Sequence, residues 1–564
     1  MHSVRIHPET WKLVVQAAGL LLFGIAFEAV FVAAEAQLSP NIYFEASYTL
    51  ALIGSVPLAF VLALLSLAFY GWLFIPAGRG RLGWRQIDCV GGFRWPIFGV
   101  AATLAWAYSS YGYNYYFDQS HQWDRLLLTL LMFGTLRSPL LIAVFCLELL
   151  VSRGQFGHLI SSRTPIGDEL SIRVLGMVVG CALWNTLLCA LASIPAASRI
   201  ALVKTWCPSA RVQIRSLVYS ILCLIGFYYA FGGLSKLLIG ASLIDWMRFS
   251  HMENLFVASY LNGWLNHLPE TRILDLAEWI RSSSVPISAM TLIVELGMLF
   301  VLLRQRGTLL LLAAVSAMHI GIVIMTGIIF WKWMILDLSL LAWLWFWRNH
   351  EEVRRIYSRS NFIVSLLLIA AVMAAFHQNR FAWWNTKWFK IYEIEARDEA
   401  GNRYLVDYAD FAPYTLFDFY QPQELRIHTK VYGMSFNQGV MQRLEEADPA
   451  DLQQLSATPS GSDAGKAQGR QKRIFNDFMI RHFKHRNSAP GQKVPPFLLP
   501  SPSMHNRHLS APNLYRDQAP IVEVQLRFIE IFYSGSKLHR MRDEIVHTIR
   551  IPQGDERRRD SAGD

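Results

Sequence analysis

Apolar residues run in long blocks through the first 377 positions, separated by short polar turns. A helix needs about 20 apolar residues to cross a bilayer. On that measure the pattern predicts helices at about 12–36, 48–76, 93–113, 126–151, 173–197, 215–240, 284–304, 307–331, 332–348 and 361–377. The block at 126–151 is the poorest, because Arg137 and Pro139 interrupt it. Arg137 is either a functional charge or the mark of a kink or re-entrant turn. The block at 332–348 is short. The expected fold is therefore an α-helical polytopic membrane bundle of about nine or ten spans, over residues 1–377.

The pattern changes twice. Between Asp245 and Arg281 the chain turns polar and aromatic, which predicts interfacial amphipathic helices with Trp246, Trp264 and Trp279 at the membrane–water boundary. From about 378 the period becomes two. Trp388–Ala396 and Val522–Tyr533 read as strands, and Asp398-Glu399-Ala400-Gly401-Asn402 reads as a hairpin turn leading to Tyr404–Tyr408. Residues 378–564 are thus expected to form a small β-rich soluble domain. A flexible insertion is expected at about 446–515, rich in Ser, Pro, Gly and basic residues, with a short helix near 471–484. The tail after Pro552 is expected to be disordered.

Composition agrees with a membrane chain. Of 564 residues 53% are hydrophobic, and mean hydropathy is +0.27. The formal net charge of +10 fits cytoplasmic loops. No zinc finger, helix-turn-helix or aromatic-basic motif points to a nucleic acid, and none is expected as a partner. Membrane lipids are the expected surroundings. The N-terminus lacks the pattern of a cleavable signal, so the first helix reads as an uncleaved anchor. The six cysteines form no CxxC pair and read as apolar filler. Arg79, Arg81 and Arg85 in one loop, and Arg348, Arg354, Arg355 and Arg359 in another, place those loops and the N-terminus in the cytoplasm. Ten full spans would put the C-terminal domain inside and nine outside; the charge pattern leans to outside. The expected location is a bacterial cytoplasmic membrane.

Polar residues inside the apolar blocks are costly, and usually face a protein interior and serve a function. Lys236 lies in ILCLIGFYYAFGGLSKLLIG, Glu295 in TLIVELGMLF, His319 in AVSAMHIGIV, and Lys332 and Asp337 in FWKWMILDLS. A lysine in an apolar site can act as a base. The plain alternative for Lys236 is snorkelling from the helix end. Glu295 and His319 sit on neighbouring antiparallel helices joined near Arg304-Gln305-Arg306-Gly307, at depths within roughly one helical turn. They read either as supporting catalytic groups or as a hydrogen bond joining two helices. Lys332 and Asp337 read as interfacial. Glu28, Glu148 and Arg137 read as packing partners of unknown pairing. Gly232 and Gly233, one turn before Lys236, open room for a helix or a flat ligand, and Tyr228 and Tyr229 add aromatic surface. Such a pocket suits a reduced quinone or another amphiphile. No Walker A, HExxH or GxSxG motif is present. Gly78-Arg79-Gly80-Arg81-Leu82-Gly83 matches GxGxxG by letter only, since it follows a spanning helix and not a strand.

The stretch YYAFGGLSKLLIGASLIDW resembles the membrane segment of the vitamin K-dependent γ-carboxylase-like family, also called the horizontally transferred transmembrane domain. ELGMLFVLLRQRGTLLLLAAVSAMHIGIVIMTGIIFWKWMILDLSLL is similar to that family's following helices, and the likeness covers about residues 10–380. The resemblance implies a base at Lys236 that deprotonates a hydroquinone; the oxidised species then takes a glutamate γ-proton and carbon dioxide adds. Ser235 stands where the carboxylase itself has a second lysine. The alternative it implies is a non-catalytic accessory protein for maturation or export of a secreted peptide.

Overall fold

The computed structural model describes residues 8–74, 83–157, 168–193, 210–375, 382–411, 414, 434–435, 465–488, 498–499, 501–502 and 510–553. Among the described residues the membrane part is mainly helical. Its elements are α1 (Pro8–Glu35), α2 (Tyr48–Ser55), α3 (Pro57–Phe74), α4 (Arg94–Ser109), α5 (Gln122–Gly134), α6 (Leu141–Gly157), α7 (Asp168–Ser193) and α8 (Ala210–Leu238). There follow α9 (Asp245–Phe249), α10 (Met252–Leu261), α11 (Glu270–Gly297), α12 (Gln305–Thr326), α13 (Trp331–Phe346), α14 (Glu351–Arg354) and α15 (Arg359–Ala375).

A helix appears near every expected position, but fewer than nine meet the spanning criterion. Among the described residues five helices are long and apolar enough to cross a membrane: α1, α7, α8, α11 and α12. A sixth is counted if α2 and α3 are taken together. The chain bends by 117° between them, so the block at 48–76 is not one straight helix. The cause is local. Pro57 opens α3, and a residue before proline is driven out of the helical region, as Val56 is at φ −123°, ψ 109°. The block at 126–151 is likewise split, with exposed Arg137 in the turn between α5 and α6.

The interfacial segment also differs from expectation. Helices α9 and α10 lie where it was expected, but Glu270–Arg281 belongs to the long helix α11. The apolar helix including this stretch runs Glu270–Phe300, 31 residues. At about 1.5 Å per residue it outruns a hydrocarbon core of about 30 Å, so its polar first turns extend beyond the apolar layer.

The C-terminal part carries β1 (Trp384–Asn385), β2 (Trp388–Asp398), β3 (Arg403–Leu405), β4 (Met434–Ser435), β5 (Ile521–Tyr533), β6 (Leu538–Arg550) and one long helix, α16 (Gly465–Ser488). Strands β3, β2, β5 and β6 form an antiparallel sheet in that order, and β1 pairs with β4. The expected turn at Asp398–Asn402 joins β2 to β3; Asp398 accepts hydrogen bonds from Asn402 and Tyr404. Helix α16 is longer than the expected 471–484. Its buried residues Phe475, Phe478, Met479, His482 and Phe483 recur at helical spacing, so one face is apolar. Residues 446–464 and 554–564, expected to be flexible, lie outside the described residues.

The two parts are joined through side chains. Arg281 of α11 donates to the Gly535 carbonyl at 2.7 Å, in the turn between β5 and β6. Gly535 has φ +99°, and a Cβ there would lie 2.6 Å from the Arg281 guanidinium, so only glycine fits this contact. Trp106 donates to the Leu499 carbonyl, Tyr116 stacks on Phe478, and His485 approaches Asp118 at 3.2 Å.

Candidate functional site

Helix α8 is the most enclosed of the five candidate spans and packs against α1, α11 and α15. Tyr229, Gly232, Gly233 and Lys236 follow one another at three-, four- and seven-residue spacing, so they share a face. That face meets α11 and α12. Lys236 Nζ donates to both carboxylate oxygens of Glu295, each at 2.5 Å. The side chains are 13% and 10% exposed, so the ammonium is held inside by a carboxylate and does not snorkel away. Its other neighbour is the Trp246 ring, 5.2 Å from Nζ. Trp246 in turn donates to the Trp383 carbonyl at 3.1 Å, next to β1.

Gly232 and Gly233 make the approach of α11 feasible. A Cβ on Gly233 would lie 3.0 Å from the Leu296 side chain and 3.2 Å from Glu295 Cβ. A Cβ on Gly232 would reach the Glu295 carboxylate at 3.6 Å, an ordinary contact. In this structure the glycines make room for Glu295 and Leu296.

Two turns earlier, Tyr229 donates its hydroxyl proton to Asp337 Oδ2 at 2.6 Å and contacts His319 Nε2 at 2.8 Å. Asp337 is 1% exposed and His319 4%. Asp337 is buried against α8. Trp333 stands edge-on to Tyr229 and His319, with centroids at 5.5 and 6.2 Å, and Phe330 lies 5.1 Å from His319. His319 Nδ1, Asp337 Oδ1 and Trp333 Nε1 are buried without a hydrogen-bond partner among the described residues.

The expected residues thus fall into three contacts. Glu295 faces Lys236 and His319 faces Tyr229, so the two do not form the direct pair that their depths suggested. Tyr228, one residue off the shared face, accepts a hydrogen bond from Arg173 at 2.6 Å, and Arg173 pairs with Glu28 at 3.4 Å. Lys332 lies in the first turn of α13 and Asp168 is the first residue of α7, so both stand at helix ends. Lys332 pairs with Asp168, which is fully buried and also accepts from Tyr108. Glu148 accepts from Thr49 at 2.9 Å. Sequence reasoning missed Trp333 as a site residue. The signal was there: Trp333 and Asp337 are four apart and share a face of α13.

Fold and site define a helical membrane protein with an ion-paired lysine in its core. No family model, curated protein or solved structure matches the chain.

Proposed function

We propose that the bundle binds a quinol or a similar reduced aromatic amphiphile at the Lys236 face of α8, with Lys236 as the base that takes its hydroxyl proton. The observation that carries this is the enclosed Lys236–Glu295 pair, set between the Trp246 ring and the polar cluster around Tyr229. A paired ammonium is not yet a base. Its proton must first pass to Glu295, along hydrogen bonds already formed, which leaves the amine lone pair for the ligand's O–H. Glu295 is therefore the partner that prepares the base. The resemblance of YYAFGGLSKLLIGASLIDW to the carboxylase-like family supports the same assignment of Lys236, and carries with it an oxidase or carboxylase reaction. A bacterial cytoplasmic membrane is the setting proposed for it.

One observation favours a second reading, an accessory protein for a secreted peptide. Strand β6 is the outer strand of its sheet, and its Ile545 and Val546 are exposed, as a strand that accepts a partner strand would be.

Binding separates the two. Purified protein in detergent is titrated anaerobically with a reduced naphthoquinone while tryptophan fluorescence is followed. Saturable quenching that weakens strongly in Lys236→Met is the expected result. Equal affinity in both proteins would rule out a quinol site at Lys236.

A further inference from the structure

The C-terminal part reaches the rim of the bundle at two separate places. At the first, Trp106 Nε1 donates to the Leu499 carbonyl at 2.6 Å. Trp106 lies three residues before the end of α4, about 4.5 Å back along the helix axis. Its ring stands edge-on to Trp331, the first residue of α13, with centroids 5.1 Å apart. Tryptophans at helix ends mark the interface of a bilayer. Leu499 is 81% exposed, so an apolar side chain of the C-terminal part stands bare beside these rings. At the second place, Arg481 of α16 lies over the rings of Phe44 and Tyr116, at 5.1 and 5.5 Å. Phe44 lies in the turn between α1 and α2, is 37% exposed, and packs on Phe117 at 5.0 Å. Phe117 belongs to the turn that follows α4, so both contacts fall at the same end of the bundle.

Along α16 a row of charge continues from that contact. Arg473, Asp477, Arg481 and Lys484 follow at four-, four- and three-residue spacing, so they share one side of the helix. Arg473 and Lys484 are exposed and Arg481 is half-buried. The one acid of the row, Asp477, is already engaged: it accepts from Arg481 at 3.0 Å and from Tyr116 at 3.1 Å. The sequence sets Lys466 and Arg470 at the same spacing upstream. The row is a line of cations anchored on an aromatic ring of the rim. We infer that it is a seat for the headgroups of anionic phospholipid, with Leu499 dipped into the same leaflet, so that the C-terminal part is held to the bilayer as well as to the bundle. Lipid phosphates lie at the depth of the aromatic rim and are the complement of Arg and Lys. Basic side chains beside a bare apolar one are what an interfacial surface presents to a membrane. A soluble acidic peptide would answer the cations and leave Leu499 in water. The inference is independent of any ligand at Lys236 and of which leaflet the C-terminal part faces.

Two readouts test this on the full-length protein in nanodiscs, made either of phosphatidylcholine alone or of phosphatidylcholine with phosphatidylglycerol. The first is hydrogen exchange of the α16 amides, which reports how often the helix opens. Wild-type α16 is expected to exchange more slowly in the anionic bilayer, by roughly fivefold for each basic residue engaged. The difference is expected to fade in high salt and to shrink in Arg473→Glu/Lys484→Glu. The second readout places a fluorophore at Leu499→Cys in a cysteine-free background. Quenching by lipids brominated along their acyl chains, and little quenching by aqueous iodide, is the expected result. Equal exchange of wild-type α16 in the two bilayers overturns the inference, and that comparison needs no variant to fold. A fluorophore reached by iodide and not by brominated lipid overturns it as well. Polyglutamate that slows exchange in the phosphatidylcholine nanodisc as much as phosphatidylglycerol does would assign the row to an acidic peptide and overturn the lipid seat.

Discussion

Lys236, in the last turn of α8, donates to both carboxylate oxygens of Glu295, near the end of α11, and the pair is almost wholly enclosed. Removing one partner leaves the other charge buried and alone, which costs about 3–5 kcal/mol, while replacing both with apolar residues is nearly neutral. Lys236→Met is therefore expected to be strongly destabilised, and Lys236→Met/Glu295→Leu to recover most of the loss. Unfolding in mixed micelles, measured as a double-mutant cycle, checks it; additive losses would show that the two side chains do not act as a pair.

The glycines give a contrast within one turn. Gly233→Ala forces its Cβ against Leu296 and Glu295 Cβ, at 3.0 and 3.2 Å, and is expected to cost about 1–3 kcal/mol. Gly232→Ala fits at 3.6 Å and is expected to be neutral within about 0.5 kcal/mol. Thermal melts of the two variants decide; equal effects would contradict the packing of α11 on α8.

Charge predicts a sidedness. Arg304, Arg306, Arg348, Arg354, Arg355 and Arg359 gather at one end of α11 to α15. The C-terminal part contacts the opposite ends, through Phe44, Trp106, Ser110, Asp118 and Arg281. By the positive-inside rule the arginine end is expected in the cytoplasm, and the sheet and α16 outside. In a cysteine-free background expressed in bacteria, Lys484→Cys is expected to react with an impermeant maleimide in intact cells, and Arg355→Cys only after lysis. The reverse pattern would invert the topology.

Acid is expected to loosen the C-terminal part through His482. This residue is 2% exposed, stacked on Phe478 and packed by Phe411 and Phe483. Burial, aided by Arg486 and His485, holds its imidazole well below the ordinary histidine value. The unfolded chain takes up a proton below about pH 6.5 and the folded one does not. The stabilisation is full above that pH and falls as pH drops, by at most about 1.4 kcal/mol per unit. His482→Phe removes the ionisation. Proteolysis of α16 between pH 7.5 and 5 should accelerate in the wild type and much less in the variant; matching profiles would exclude His482 as the cause.

Helix positions were legible because apolar blocks of about 20 residues have few other uses, and the α8 face was legible because 229, 232, 233 and 236 share a helical period. The pairings were less so. Depth along two helices placed Glu295 and His319 at similar levels, but depth does not fix rotation, and each finds its own partner on α8. The partners of Lys332 and Asp337 were not legible, because Asp168 and Tyr229 are more than 100 residues away and are reached only by packing. The bend at Pro57 follows from a local rule and was open to sequence reasoning; the length of the apolar block masked it.

The central claim is base chemistry at Lys236, and oxygen uptake tests it most directly. Purified protein is given naphthoquinol, ubiquinol or menaquinol in oxygenated detergent, wild type beside Lys236→Ala. Quinol-dependent oxygen consumption that disappears with the lysine is the expected result. No uptake by the wild type with any of the three, or equal uptake by both proteins, would contradict it.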